Sequence, residues 1–135
     1  MKPPNFDLEC LIYNCVTYNI LLAVIYRPPS YQLDLFKTNL NKLLDLLDTR
    51  SDTIVVMGDF NDDMFKESTM NNLMANRGYV QVVSQPTTEN NTLIDHVYIK
   101  TTHFDVEAKV LPTYFSDHEG IICSFTNKTV QNEFK

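Results

Sequence analysis

The sequence predicts an α/β fold, on three observations. A continuous apolar run, Ile20–Tyr26, precedes an amphipathic helical stripe and then a second short apolar run, Thr53–Met57. Strand, helix and strand in that order form a crossover unit of a parallel sheet. The 135 residues, 44% of them hydrophobic, amount to one domain at the usual size of about 150 and suffice for a packed core.

Taken in order, Phe6, Leu8, Cys10 and Ile12 alternate with other residues, as in a half-buried strand. Asn14 to Asn19 makes a connection. Ile20–Tyr26, rich in β-formers, reads as a strand covered on both faces, and Arg27-Pro28-Pro29 stops it. Ser30 is placed to cap a helix whose core stripe is Leu33, Phe36, Leu40, Leu43, Leu44 and Leu47. Thr53–Met57 is a buried strand ending at Gly58. A second helix is expected from Glu67 to Arg77, with Met70, Leu73 and Met74 inward and Gly78 as its C-terminal cap. Strands follow at Tyr79–Val83, Leu93–Lys100, Phe104–Leu111 and Glu119–Phe125, with Pro86–Asn91 as a loop. The domain is expected over residues 1–127, with 128–135 a frayed polar tail.

The net charge of −6, from 11 Lys plus Arg and 17 Asp plus Glu, argues against salt-driven binding of nucleic acid by a broad basic surface. It leaves room for an enzyme that reaches a phosphodiester through a cation held by carboxylates. Three cysteines (Cys10, Cys15, Cys123), without paired spacing, read as free, mostly buried thiols in a reducing compartment. No apolar run approaches the roughly 18 residues of a membrane span. Met1-Lys2-Pro3-Pro4 lacks the apolar core of a secretory signal.

Four polar segments stand at the ends of expected strands, where sites assemble in α/β sheets: Tyr26-Arg27-Pro-Pro, Gly58-Asp59-Phe60-Asn61-Asp62-Asp63, Ile94-Asp95-His96 and Ser116-Asp117-His118. Carboxylates, an amide and an imidazole are the inventory for metal-assisted attack of water on a phosphoester. Asp59 emerges from a buried strand. Asn61, two residues on, points to the same face if the chain stays extended, so that one takes a proton from water and the other orients it. A strand-end turn explains the same residues structurally. Asp62 and Asp63 read as solvated loop charges. Asp95 can fix the tautomer of an imidazole such as His118. His96 points to the other strand face and reads as structural, and His103 as an exposed turn residue. Tyr26 offers a hydroxyl to a phosphate oxygen or packs with a wet tip.

Together, Val24-Ile-Tyr-Arg-Pro-Pro29, Val56-Met-Gly-Asp-Phe-Asn61, Leu93-Ile-Asp-His-Val-Tyr98 and Tyr114-Phe-Ser-Asp-His118 resemble the endonuclease/exonuclease/phosphatase family in order and spacing, over Phe6 to Phe125. The wording is most similar to endonuclease domains of mobile elements, of the LINE-type retrotransposon or Helitron-like kind. The resemblance implies part of a DNase I-like two-sheet α/β sandwich, its C-terminal portion, with the family's N-terminal strands missing. It implies a phosphodiesterase that uses Mg²⁺ or Mn²⁺ on DNA, without a membrane, inside the cell and in or near the nucleus. In family terms Tyr26 organises the site and contacts phosphate, and Asp59 activates water. Asn61 positions that water, Asp95 orients His118, His118 contacts the scissile phosphate, and Asp117 with Asp59 serves the metal.

The family's Asn-bearing first strand and metal-binding Glu strand have no counterpart here. Glu9 lies on an expected strand, but its surroundings do not match the Glu motif, so the role is not transferred. An isolated chain weak or inactive in catalysis is therefore expected. The alternatives are an inactive remnant or binding module, and a phosphatase or lipid phosphodiesterase of the same superfamily.

Overall fold

The structure, a computed structural model, describes residues 7–66 and 68–128. The expected polar tail falls almost wholly beyond them, as do Phe6 and Glu67, the expected starts of the first strand and the second helix. The described chain runs β1 (Glu9–Cys15), β2 (Ile20–Tyr26), α1 (Leu33–Asp48), β3 (Thr53–Asp59), α2 (Thr69–Asn76), β4 (Val80–Gln81), β5 (Asp95–Lys100), β6 (Phe104–Leu111) and β7 (Gly120–Asn127). Five strands form one sheet in the order β1-β2-β3-β5-β4, and β6 and β7 form a separate two-stranded sheet. Within the first sheet β2 and β3 are parallel, joined by α1, while β1, β5 and β4 run antiparallel to their neighbours.

The stripe of α1 packs as its spacing demands. Phe36, Leu40, Leu43, Leu44 and Leu47 are fully buried against Leu21, Ala23, Ile25, Ile54 and Val56. The helix is capped by Gln32, whose side chain accepts from the Leu35 N–H, and not by Ser30. The Pro28-Pro29 step turns the chain first, with the Tyr31 N–H donating to the Pro28 carbonyl. Ser68 caps α2, and Met70 and Met74 fill the same core. Gly78 follows α2 at φ +89°, the left-handed conformation that ends helices.

Several expected bounds shift. β1 begins at Glu9 and runs to Cys15, because its pairing with β2 extends to Ile20. The expected strand at 79–83 narrows to Val80–Gln81. β5 starts at Asp95, since the Leu93 and Ile94 carbonyls accept from the Met64 and Phe60 N–H groups. The three thiols are free but half-buried.

One expectation about β2 is overturned. Its helix side is sealed, but on its other side Val24 is 39% and Tyr26 42% exposed. The core under the two-stranded sheet takes in β3 and β5 and reaches the start of β2 at Ile20 and Leu22. There Val106, Val110, Ile121 and Phe125 pack on Val55, Val97 and Ile99, leaving β1 and the Tyr26 end of β2 open.

Candidate functional site

The register of the five-stranded sheet aligns four residues at one rim. Glu9 pairs with Tyr26, Tyr26 with Asp59, and Asp59 with Asp95. Directly paired residues point to the same face of a sheet, and this is the face on which β6 and β7 sit. The eight-residue connection 112–119 between β6 and β7 delivers His118 to the same rim. It is stitched to loop 84–94 by a Thr88–His118 bridge, by the Glu89 N–H donating to the Asp117 carbonyl and by the Glu119 N–H donating to the Thr87 carbonyl. The site is thus a seam, with carboxylates from one sheet and an imidazole from the other.

His118 Nδ1 lies 2.7 Å from Asp95 Oδ2, and its Nε2 lies 3.8 Å from Asp59 Oδ2. A carboxylate only accepts, so Nδ1 carries a proton and Nε2 faces Asp59. Burial alone would lower the His118 pKa. The hydrogen bond and charge of Asp95, with the charges of Asp59 and Asp117, outweigh it and raise the pKa above the usual 6.5. Asp59 is raised by burial and by the charges of Asp95 and Asp117, against the lowering effects of the Asn61 N–H and of His118. A shallow cavity of about 210 Å³ beside them is lined by Met57, Gly58, Asp59, Asp95 and Ile121.

Gly58 explains how Asp59 reaches this position. Its φ is +151°, and a Cβ there would lie 1.7 Å from the Ile25 carbonyl oxygen. Only glycine lets β3 pass this close to β2 just before the carboxylate.

Asn61 does not follow Asp59 in extended conformation, which corrects the same-face expectation. The strand has ended, and Asn61 turns at φ +49°. Its N–H donates to Asp59 Oδ1 at 3.0 Å and its side-chain Nδ2 to the Arg27 carbonyl at 2.7 Å. Arg27, read from the sequence as a strand stop, clamps the backbone around the site. Buried, it donates from Nη1 to the Phe60 and Asn61 carbonyls and from Nε to the Tyr31 carbonyl, each at 3.0 Å. Its own N–H donates to the Asp59 carbonyl at 2.8 Å. Only its burial and its place beside Tyr26 could have signalled this.

Asp62 and Asp63 are braces, not solvated charges. Asp62 Oδ2 accepts from the Ser68 hydroxyl and the Met70 N–H at the start of α2. Asp63 Oδ1 accepts from the Phe65 and Leu93 N–H groups. His96 is structural, as its strand face implied. Its Nε2 donates to the Asp62 carbonyl at 2.7 Å, so Nδ1 accepts from the Tyr98 hydroxyl at 2.6 Å. Burial holds its pKa below the usual value. His103 is exposed, facing Asp52 at 3.9 Å.

Asp59, Asp95 and His118 offer ligand atoms that all lie within 4.8 Å of one another. Asp117 is exposed and outside this group, as is Glu9. Magnesium is commonly held by one or two carboxylates together with waters and substrate phosphate, and the oxygen donors here suit that mode. Asp59 is the donor best placed, because Asp95 is engaged by His118. No helix among the described residues is long and apolar enough to cross a membrane.

Two stacked sheets with an acid–imidazole set at their seam define an α/β sandwich built around a proton-handling site. The sequence pattern of the endonuclease/exonuclease/phosphatase family matches residues 2–118, and the chain belongs to that family. No curated relative of significant similarity is found. Among solved structures it is similar to CdtB, the biologically active subunit of cytolethal distending toxin, at 13% identity and TM-score 0.56, over 86% of this chain and 56% of that one. It is similar to a mannosyl-6-phosphatase of Bacteroides thetaiotaomicron at 16% and 0.55, over 79% and 50%. It is also similar to the cytolethal distending toxin of Actinobacillus actinomycetemcomitans at 12% and 0.56, over 89% and 58%. These likenesses show the DNase I-like fold, and the chain spans about half the length of those structures.

Proposed function

We propose that this chain carries the acid–base half of a divalent-cation-dependent phosphodiesterase that acts on DNA, of the kind encoded by mobile elements, in a reducing intracellular compartment. The observation that carries the reading is the Asp95–His118–Asp59 line at the sheet seam. Asp95 holds the proton on Nδ1 and favours the charged form of His118, a charge suited to a phosphate oxygen. Asp59, whose carboxyl burial makes more basic than an ordinary aspartate, takes a proton from the attacking water. The Asn61 N–H fixes one carboxylate oxygen of Asp59 and leaves Oδ2 for that task. Tyr26, half-exposed beside Asp59, contributes a hydroxyl to the phosphate. Asp59, with Asp117 nearby, would hold magnesium or manganese, which when bound would supply Lewis-acid polarisation of the phosphoryl group. Turnover is slow, because a cation held by few carboxylates is weakly placed and misplacement of about 1 Å costs about 100-fold.

The test is nicking of supercoiled plasmid at stoichiometric protein. Slow nicking that needs Mg²⁺ or Mn²⁺, stops in EDTA and disappears in Asp59→Ala and His118→Ala is the expected result. A second reading, a phosphatase of the same superfamily, draws on the likeness to the mannosyl-6-phosphatase. Hydrolysis of a soluble phosphomonoester with no nicking would establish it in place of the first, and activity on neither would make the chain a binding module.

A further inference from the structure

Two aromatic side chains beside the imidazole are left almost wholly in solvent. Tyr114 is 96% and Phe115 91% exposed, although the loop that carries them is tied down. The Thr113 hydroxyl donates to the His118 carbonyl at 2.6 Å, and the His118 N–H donates to the Ser116 hydroxyl at 3.1 Å. The far side of the loop is bonded to residues 87–89. The pair is therefore held out from an anchored base. Phe115 stands three residues from His118, so its Cα lies within about 11 Å of that residue's. Across the site Tyr26, 42% exposed, is the register partner of Asp59.

The charge of this surface restricts what it can hold. Loops 84–94 and 112–119 contain no lysine or arginine, and they carry Glu89, Asp117 and Glu119. Duplex binding draws mainly on basic contacts to phosphates, which these loops cannot supply. Base–aromatic stacking adds affinity base by base without a contact to phosphate and tolerates any sequence.

We infer that Tyr114 and Phe115 form a stacking platform for unpaired nucleobases next to the scissile phosphate, so that the site takes single-stranded or locally opened nucleic acid. This rests on the phosphodiesterase reading above and names its substrate class.

The test is fluorescence anisotropy of a labelled oligo(dT) and of a labelled duplex of equal length, with the full chain in Mg²⁺. The expected result is tighter binding of oligo(dT) than of duplex. A Tyr114→Ala, Phe115→Ala double variant should then bind oligo(dT) at least 10-fold more weakly, since each stacked base is worth about 5- to 150-fold. Its melting temperature should match the parent's, because both side chains stand in solvent. Aromatic-dependent oligo(dT) binding by a parent chain that does not nick plasmid would count against the catalytic reading alone, which separates its failure from failure of the platform. Absent oligo(dT) binding, a preference for duplex, or unchanged binding by the double variant would overturn the inference. So would self-association of the parent that the double variant abolishes, which would make the pair a contact between copies.

Discussion

On the helix side of the five-stranded sheet, Phe36, Leu40 and Leu43 meet Ala23, Ile25 and Val56, and none of these six is more than 1% exposed. On the opposite side Leu11, Tyr13 and Val24 stand 66, 63 and 39% exposed, and the core under the covering sheet takes in β3, β5 and only the start of β2. The strands are shared, and period-two alternation assigns their residues to the two faces. In β5, Asp95 faces the seam and accepts from His118, while His96 faces the helices and braces. The closed face supplies stability, and the half-covered one leaves a shallow cavity at its rim.

The widest separation between the faces should appear in denaturant. Phe36→Ala is expected to cost about 3–5 kcal/mol, whereas Leu11→Ser should change stability by no more than about 0.5 kcal/mol. Equal losses by urea unfolding would mean that β1 is covered in solution. Arg27→Met should come next, at about 2–4 kcal/mol. It strands the Tyr31, Phe60 and Asn61 carbonyls, and bonds to charged groups are worth about 1.5–3 kcal/mol each before compensation. Displacement of the Asn61 side-chain amide resonance in NMR spectra would accompany the loss, and an unmoved resonance would sever Arg27 from the site.

These contrasts also mark how far the sequence could be read. The α1 stripe and the β2–α1–β3 crossover follow from periodicity, and Asp59, Asp95 and His118 follow from motifs at strand ends. Sequence reading did not reach features that depend on distant partners. The carbonyls that Arg27 clamps at Phe60 and Asn61 lie 33 and 34 residues away, and Asp63 meets Leu93 across 30. Asn61 leaves the expected face because the strand stops two residues before it, at Asp59, so alternation no longer applies. An apolar run such as Ile20–Tyr26 looks the same whether one or both faces are covered, so the opening at Val24 had no local signal.

The two histidines sharpen the comparison through pH. By NMR, His118 should titrate above 6.5 and His96 below it. Because the folded pKa of His118 is raised, the stability it adds is complete below its unfolded value of about 6.5 and is lost as pH rises through the folded value. Asp95→Asn should bring the His118 titration down, leaving burial less opposed, and should lower His96 less, since the Asp95 charge is the weakest of the influences that raise it. A His118 titration unmoved in that variant would remove Asp95 from its orienting role. The smallest effect concerns the open face itself. The chain should bind a hydrophobic dye, and Leu11→Ser with Tyr13→Ser should reduce the signal by about half or more. Absence of dye binding in the parent would mean that this surface is already occupied.

The loop that brings His118 to Asp95 belongs to the β6–β7 hairpin, while both partner carboxylates belong to the other sheet. The Asp59–Asp95–His118 cluster is consequently a property of how two bodies are docked, and neither body contains it. Hairpins of this size open at lower free energy than sealed helical cores. On gradual warming, Asp95 and His118 should part company while α1 is still seated on its strands, so the chain would go silent well before it melts.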